Sequence, residues 1–228
     1  MNGRRRARIV DKHRVKGGRH MTYMEAVDIP APHGILEGLL RTGDDASPRL
    51  ASVVCHPHPL GQGTMHNKVV FTIAKALNAA GVPALRFNFR GVGRSTGTYD
   101  NGRGEADDVR AALDWLMQRY PATPLLVAGF SFGAWVGLPV GCMDDRVARL
   151  IGVGIPTASL DIMPLDDCTK PKLIVQGTED EHGPLATFLP WFEHAAPPKD
   201  LHLVEGSSHF FGGHLDELAS TISARVHA

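Results

Sequence analysis

Short apolar runs alternate with segments of helical periodicity from residue 24 to the end of the chain. Continuously apolar runs of this length are typical of strands buried on both faces of a sheet. The predicted strands span residues 24–30, 34–42, 50–56, 82–89, 124–130, 149–155, 171–177 and 200–206. The first two are expected to pair antiparallel. Because helical segments separate most of the others, the pattern predicts an α/β fold of three layers, with a doubly wound, mostly parallel sheet of about eight strands.

The helical segments place apolar side chains on one face. Asn67 is the expected cap of the first helix, in which Val70, Ile73 and Leu77 share a face. Further helices are predicted at 104–119, directly after Ser131, at 185–195 and at 213–226. Amphipathic helices of this kind cover a sheet with their apolar stripe and leave the other face in water.

Charge divides the chain into a basic head and a mildly acidic body. Residues 1–20 carry eight basic side chains and one acidic side chain, a net of +7, so the body carries −7. We therefore expect residues 1–23 to form a disordered basic extension and residues 24–228 to form one α/β domain. About 15 residues separate the strands at 149–155 and 171–177, which is too few for an inserted lid domain.

Composition excludes several classes of protein. Lys plus Arg and Asp plus Glu both total 24, so no overall field favours a nucleic acid or a membrane surface as partner. The chain has no apolar run of about 18 residues, and its head lacks the apolar stretch of a secretory signal. The three cysteines, Cys55, Cys142 and Cys168, show no CxxC spacing. We expect no disulfide framework and a reducing, cytoplasmic location.

Two G-x-S-x-G patterns offer a candidate nucleophile, and their surroundings differ. Ser131 follows the apolar strand LLVAGF directly and precedes the helix-forming AWVGL. Ser95 is followed by TGTYDNG, which cannot start a helix at the turn. A strained strand-to-helix turn exposes a serine hydroxyl above the sheet. We therefore predict Ser131 as the nucleophile and assign Ser95 to a glycine-rich surface loop.

A serine nucleophile needs a base, and the base needs an orienting acid. In this architecture the acid and then the histidine follow the serine, each in a loop after a strand. Asp180 follows the strand at 171–177 and His209 follows the strand at 200–206. These two residues are the predicted acid and base, with Glu179 and Glu181 as alternatives for the acid.

The oxyanion of a tetrahedral intermediate needs two N–H donors. The backbone N–H of Phe132, the residue after the nucleophile, is the expected first donor. The second is expected from the loop after the strand at 50–56, where Pro57 and Pro59 lack an N–H. His58 and Leu60 remain, and we favour His58.

Several segments together resemble the α/β-hydrolase superfamily, specifically small bacterial hydrolases close to the dienelactone-hydrolase and serine-aminopeptidase-like groups. The matching segments are CHPHPLGQGTMHNKVV, LRFNFRGVGRSTGTYDNGRGEADD, LLVAGFSFGA, VQGTEDE and GSSHFF. The resemblance implies a Ser131–Asp180–His209 triad. Dienelactone hydrolases carry a cysteine at the nucleophile position, so their substrate is not carried over. The loop PHPLGQG also departs from the HGGG of lipases.

These features predict a carboxylesterase-like serine hydrolase that acts on a small ester-like substrate through an acyl-enzyme. No cofactor and no metal are expected. Cleavage of an amide or a thioester stays open, and so does self-association as a homodimer.

Two rival interpretations remain. A catalytically silent binding protein could share this fold, and His56, His58 and His66 could form a metal-ligand cluster. The cluster lacks the acidic residue that a dinuclear H-x-H-x-D-H site needs. Arg90 and Arg94 could meet an anionic substrate. The alternative that we favour for Arg90 is a pair with Glu105, Asp107 or Asp108 that braces its loop.

Overall fold

Nine strands and five helices form the part of the chain that the computed structural model describes, which is residues 13–15, 22–43, 45, 47–160 and 165–227. The strands are β1 (His13–Val15), β2 (Thr22–Ala31), β3 (Gly34–Thr42), β4 (Ala51–Cys55), β5 (Ala84–Phe87), β6 (Leu125–Phe130), β7 (Val147–Val153), β8 (Lys172–Gly177) and β9 (Lys199–Val204). The helices are α1 (Lys68–Ala79), α2 (Arg103–Arg119), α3 (Phe132–Met143), α4 (Leu185–His194) and α5 (Leu215–Arg225), with a 3-10 turn at Pro59–Gly61.

The strands form one sheet in the order β1-β2-β3-β5-β4-β6-β7-β8-β9. Pairing is antiparallel from β1 to β5 and parallel from β5 to β9. Every residue of β4, β5, β6 and β8 is buried, which explains why these strands read as continuous apolar runs. The predicted mostly parallel sheet with an antiparallel start is confirmed.

Helices cover both faces of this sheet. Helices α1 and α5 share one apolar cluster with it, through residues such as Val70 and Ile222. Helices α2, α3 and α4 contribute to a second cluster, through residues such as Leu113, Leu138 and Phe188. These two clusters make the three layers that the alternating pattern predicted. Asn67 caps α1 as expected, since its Oδ1 accepts from the backbone N–H of Val69 at 2.9 Å.

The start of the sheet differs from the expected boundary at residue 24. Strand β2 begins at Thr22, and β1 pairs with it antiparallel, with His13 opposite Met24. An edge strand is added through backbone hydrogen bonds, so neither its charge nor its few apolar side chains reveal it in the sequence. The rest of the predicted basic extension, residues 1–12 and 16–21, lies outside the described residues.

The connection from β7 to β8 is short, as the sequence predicted. It spans residues 154–171, which are too few for an inserted lid domain. Within the described residues, no helix has both the length and the apolar character needed to cross a membrane.

A disulfide joins the end of α3 to the segment before β8. It links Cys142 to Cys168, whose Cα atoms lie 5.6 Å apart, while Cys55 is free and buried. The expectation of cysteines without a disulfide is therefore wrong for this pair, and the cysteines no longer argue for a reducing compartment. A sequence separation of 26 residues hid the fact that the fold brings these two segments together.

We predict that replacing both Cys142 and Cys168 by alanine lowers the free energy of unfolding. Because the bond closes a loop of 26 residues, releasing it increases the entropy of the unfolded chain, for a loss of about 3 kcal/mol. Denaturant unfolding of the variant and of the oxidised protein measures the difference. The wild-type chain under a reducing agent serves as the control and should match the variant. Equal stability of the oxidised protein and the variant would contradict the prediction.

Candidate active site

The turn between β6 and α3 holds Ser131 in a conformation that few non-glycine residues adopt. Its backbone angles are φ 55° and ψ −122°, and such a conformation costs about 1–3 kcal/mol. A Cβ atom on Gly129 would clash with the carbonyl oxygen of Gly133, and one on Gly133 would clash with that of Cys55. The two glycines therefore let α3 begin directly against β6 and the end of β4.

A chain of hydrogen bonds runs from Ser131 through His209 to Asp180. The Ser131 hydroxyl lies 2.9 Å from His209 Nε2, and His209 Nδ1 lies 2.9 Å from both Asp180 carboxylate oxygens. Both His209 and Asp180 are only 2% exposed. An Nδ1–H that donates to the carboxylate leaves Nε2 as the acceptor for the serine proton. This arrangement can activate a hydroxyl group.

Further donors fix the Asp180 carboxylate. The backbone N–H groups of His182 and Gly183 donate to Oδ1 at 2.8 and 2.9 Å, and Gln176 Nε2 donates to Oδ2 at 3.0 Å. Because the turn at 180–183 supplies two of these bonds, the loop after β8 holds the carboxylate facing the ring of His209.

The two alternative acids, Glu179 and Glu181, do not take the place of Asp180 at the ring of His209. Glu181 is exposed, and its Oε2 accepts the backbone N–H of His209 at 3.1 Å. Partial burial raises the pKa of Glu181, but the backbone N–H donors outweigh it and leave the pKa below its usual value. Glu179 is exposed. Of the three predicted acids, the structure brings Asp180 to the His209 ring and uses Glu181 to hold the His209 backbone.

The two residues that carry the expected oxyanion donors, Phe132 and His58, line the same cavity as Ser131. Phe132 is the first residue of α3, and its ring centroid is 4.8 Å from that of His58. The N–H of Leu60 donates to His58 Nδ1 at 3.2 Å. Among the hydrogen bonds of the described residues, none uses the backbone N–H of Phe132 or of His58. This difference favours His58 over Leu60 as the second donor.

A cavity of about 390 Å³ opens over this group of residues. Its described lining combines Ser131 and His209 with apolar and neutral polar side chains. The lining residues are Pro57, His58, Gly61, Gln62, Gly63, Asn67, Ser131, Phe132, Pro156, Ser159, Leu160, His182, His209 and Phe210. His182 follows Asp180 by two positions in the sequence, and no motif there assigns it a role. No pattern in the sequence indicated a place in the cavity for Ser159, which lies in the loop after β7.

Comparison with known proteins agrees with the fold. Residues 53–172 match the family described as alpha/beta hydrolase fold. This chain belongs to the α/β-hydrolase family.

Three similar proteins cover nearly the whole length of this α/β-hydrolase. An alpha-beta serine hydrolase homologue from Coxiella burnetii is 40% identical, with a TM-score of 0.82 over 88% of this chain and 96% of that one. A serine hydrolase without lid from Xanthomonas campestris is 34% identical, with a TM-score of 0.81 over 90% and 94%. An uncharacterized protein from Rickettsia prowazekii is 34% identical over 88% of this chain and 87% of its own.

In the second G-x-S-x-G pattern of this α/β-hydrolase, the serine makes hydrogen bonds that stabilise the fold. Ser95 Oγ donates to the carbonyl of Asn88 at 2.7 Å and accepts the backbone N–H of Glu37 at 2.9 Å. The residue is 7% exposed, so the expected surface loop is in fact packed against β3. The hydroxyl of Ser95 ties this loop to the sheet.

The two arginines of the same loop are bound to carboxylates. Arg90 Nη2 lies 2.8 Å from Asp108, which is fully buried, so the predicted brace is formed with the third of its three candidate partners. Arg94 Nε lies 3.0 Å from Glu37. Neither arginine lines the described part of the cavity, and these contacts do not favour the interpretation that they bind an anionic substrate.

The histidines of the alternative metal cluster face different partners. His56 is fully buried; its Nδ1 donates to the Pro57 carbonyl at 2.6 Å and its Nε2 accepts the Phe89 N–H at 3.0 Å. His66 is exposed. Within the described residues, no group of three His, Cys, Asp or Glu side chains is placed to hold a metal ion. Both ring nitrogens of His56 are instead used to hold the loop that carries His58.

We predict that His56 makes the stability of this α/β-hydrolase sensitive to acid. Burial lowers the pKa of His56 from 6.5 to about 4, although its bond to Pro57 opposes the shift. His56 therefore binds a proton more tightly in the unfolded chain than in the folded one. As a result, the free energy of unfolding falls as the pH drops from 6.5 towards 4. Between pH 7 and pH 5 the loss from this group is about 2 kcal/mol.

Denaturant unfolding at both pH values, with His56→Gln as the comparison, measures this contribution. The glutamine does not titrate, so the variant should lose less stability between the two pH values than the wild type does. The same pH dependence in both proteins would contradict the assignment.

Proposed function

We propose that this α/β-hydrolase is a carboxylesterase-like serine hydrolase, which cleaves esters of small molecules by acyl transfer to Ser131. The observation that carries the proposal is the unbroken hydrogen-bond chain from Ser131 through His209 to Asp180, next to the cavity. A serine hydroxyl becomes nucleophilic when a neutral imidazole accepts its proton, and a buried carboxylate stabilises the imidazolium that forms.

In the first half of the reaction, Ser131 Oγ attacks the carbonyl carbon of the ester while His209 Nε2 takes the hydroxyl proton. The N–H groups of Phe132 and His58 donate to the oxyanion of the tetrahedral intermediate. Each donor of this kind typically contributes a factor of about 10²–10³ to kcat. When the intermediate collapses, the bond to the alcohol breaks and His209 gives its proton to the leaving oxygen.

In the second half, water attacks the acyl group on Ser131 and His209 takes the proton of the water. Collapse of the second intermediate releases the carboxylic acid and returns the proton to Ser131. The protons balance over the cycle, so these side chains and water are sufficient for the proposed reaction.

The size and rim of the cavity support a small substrate. A volume of about 390 Å³ lies at the lower end of the range for small-molecule sites, roughly 300–1,000 Å³. Leu60, which is 73% exposed, and Phe210, which is 43% exposed, flank this region with apolar surface. Since the described residues form no lid domain that extends this surface, we infer a preference for short acyl groups.

We predict that Ser131→Ala and Ser95→Ala separate the two serines by function. Ser131→Ala should lower kcat for p-nitrophenyl acetate by about 10⁴-fold or more, because it removes the nucleophile. Ser95→Ala should keep most of the activity. It should lose about 1–3 kcal/mol of stability, because the backbone N–H of Glu37 loses its acceptor.

Initial rates and denaturant unfolding of both variants, measured beside the wild type, provide the two readouts. Equal loss of activity from both substitutions would contradict the proposed function, and so would an active Ser131→Ala protein.

A further inference from the structure

The proposed mechanism leaves one polar side chain beside the catalytic base without a role. The ring of His182 lies 4.5 Å, centroid to centroid, from the ring of His209 and lines the cavity. Its Nδ1 lies 2.9 Å from the hydroxyl of Ser159, which fixes the ring. Among the described residues, His182 Nε2 has no hydrogen-bond partner.

The mechanism determines which part of a substrate lies near this ring. The oxyanion must face the N–H groups of Phe132 and His58, and the leaving oxygen must come within hydrogen-bond distance of His209 Nε2. The alcohol part of the ester therefore lies on the His209 side of the cavity. His182, in ring contact with His209, is next to that alcohol.

The uncharged lining of the described part of the cavity favours a neutral alcohol. Within the described lining no lysine, arginine, aspartate or glutamate is present, and the other polar side chains include the amides Gln62 and Asn67. The nearby arginines, Arg90 and Arg94, are bound to Asp108 and Glu37. An anionic group on the alcohol would find no fixed cation here.

The Ser159 contact makes a hydroxyl group the best match for His182. Where the serine donates to Nδ1, Nε2 carries the proton and donates; where Nδ1 donates to the serine, Nε2 accepts. A hydroxyl group can both donate and accept a hydrogen bond, so it fits His182 in either tautomer.

We propose that His182, held by Ser159, binds the leaving alcohol and selects esters whose alcohol carries a second, neutral hydroxyl group. The substrate class is thus an acyl ester of a diol, polyol or sugar. This inference rests on the proposed function, since a leaving alcohol is present only if Ser131 takes the acyl group. In the reaction the acyl–oxygen bond breaks and His209 protonates the released oxygen, while the second hydroxyl stays unchanged.

Two acetates with the same number of heavy atoms test the proposal. Propyl acetate and 2-hydroxyethyl acetate differ only in a terminal methyl or hydroxyl group, and the readout is the ratio of their kcat/KM values. In wild type the ratio should favour the hydroxylated ester. His182→Phe keeps an aromatic ring beside His209 and the backbone N–H to Asp180, and it should lower the ratio about five-fold, as expected for one lost hydrogen bond.

Three further variants separate binding from a structural effect. His182→Gln, whose amide can also donate and accept, should restore part of the preference. Ser159→Ala should lower the ratio less than His182→Phe does, and it should add nothing in the His182→Phe background. His66→Phe, the same change at an exposed histidine outside the described cavity lining, should keep the wild-type ratio.

The outcomes distinguish this inference from the proposed function. If wild type hydrolyses both acetates and His182→Phe keeps the same ratio, the role of His182 is overturned and the hydrolase proposal stands. The same follows if His66→Phe lowers the ratio as much as His182→Phe does. If wild type hydrolyses neither ester, the proposed function fails and this inference fails with it.

Discussion

The turn at Ser131 is the constraint on which the rest of the site depends. A serine held at φ 55° is strained, and the turn persists because β6 and α3 pack too closely for any relaxed path between them. Gly129 and Gly133 permit that approach, since a Cβ atom on either would clash with a neighbouring carbonyl oxygen. The same packing places the N–H of Phe132 at the start of α3, beside the Ser131 hydroxyl. The proposed nucleophile and the proposed first oxyanion donor are thus positioned by one backbone feature.

The parallel sheet brings the remaining groups to that turn. Strands β6, β8 and β9 run in the same direction, so the loops that follow them meet at one edge of the sheet. Asp180 lies three residues after β8 and His209 lies five residues after β9. Backbone N–H donors and the Gln176 amide then fix the carboxylate, and His56 fixes the loop of His58. These polar contacts hold the loops that carry the site.

Features carried by local patterns could be predicted from the sequence, and features that depend on distant contacts could not. The apolar runs, the Asn67 cap and the strand–turn–helix around Ser131 each have a local signature. Strand β1 has none, because backbone pairing holds it. The disulfide between Cys142 and Cys168 joins segments that only the fold makes adjacent. The contact of Ser159 with His182 is of the same kind, since the two residues come from different loops.

The most direct test of the account is the mass of the protein after reaction with a fluorophosphonate, followed by peptide mapping. Such a reagent phosphonylates a serine that a neighbouring histidine activates, with loss of fluoride. We expect one adduct per chain, located at Ser131, and no adduct in a His209→Ala variant, which lacks the base. An adduct at Ser95, or a folded wild-type protein that does not react, would contradict the claim that the strained turn carries an activated nucleophile.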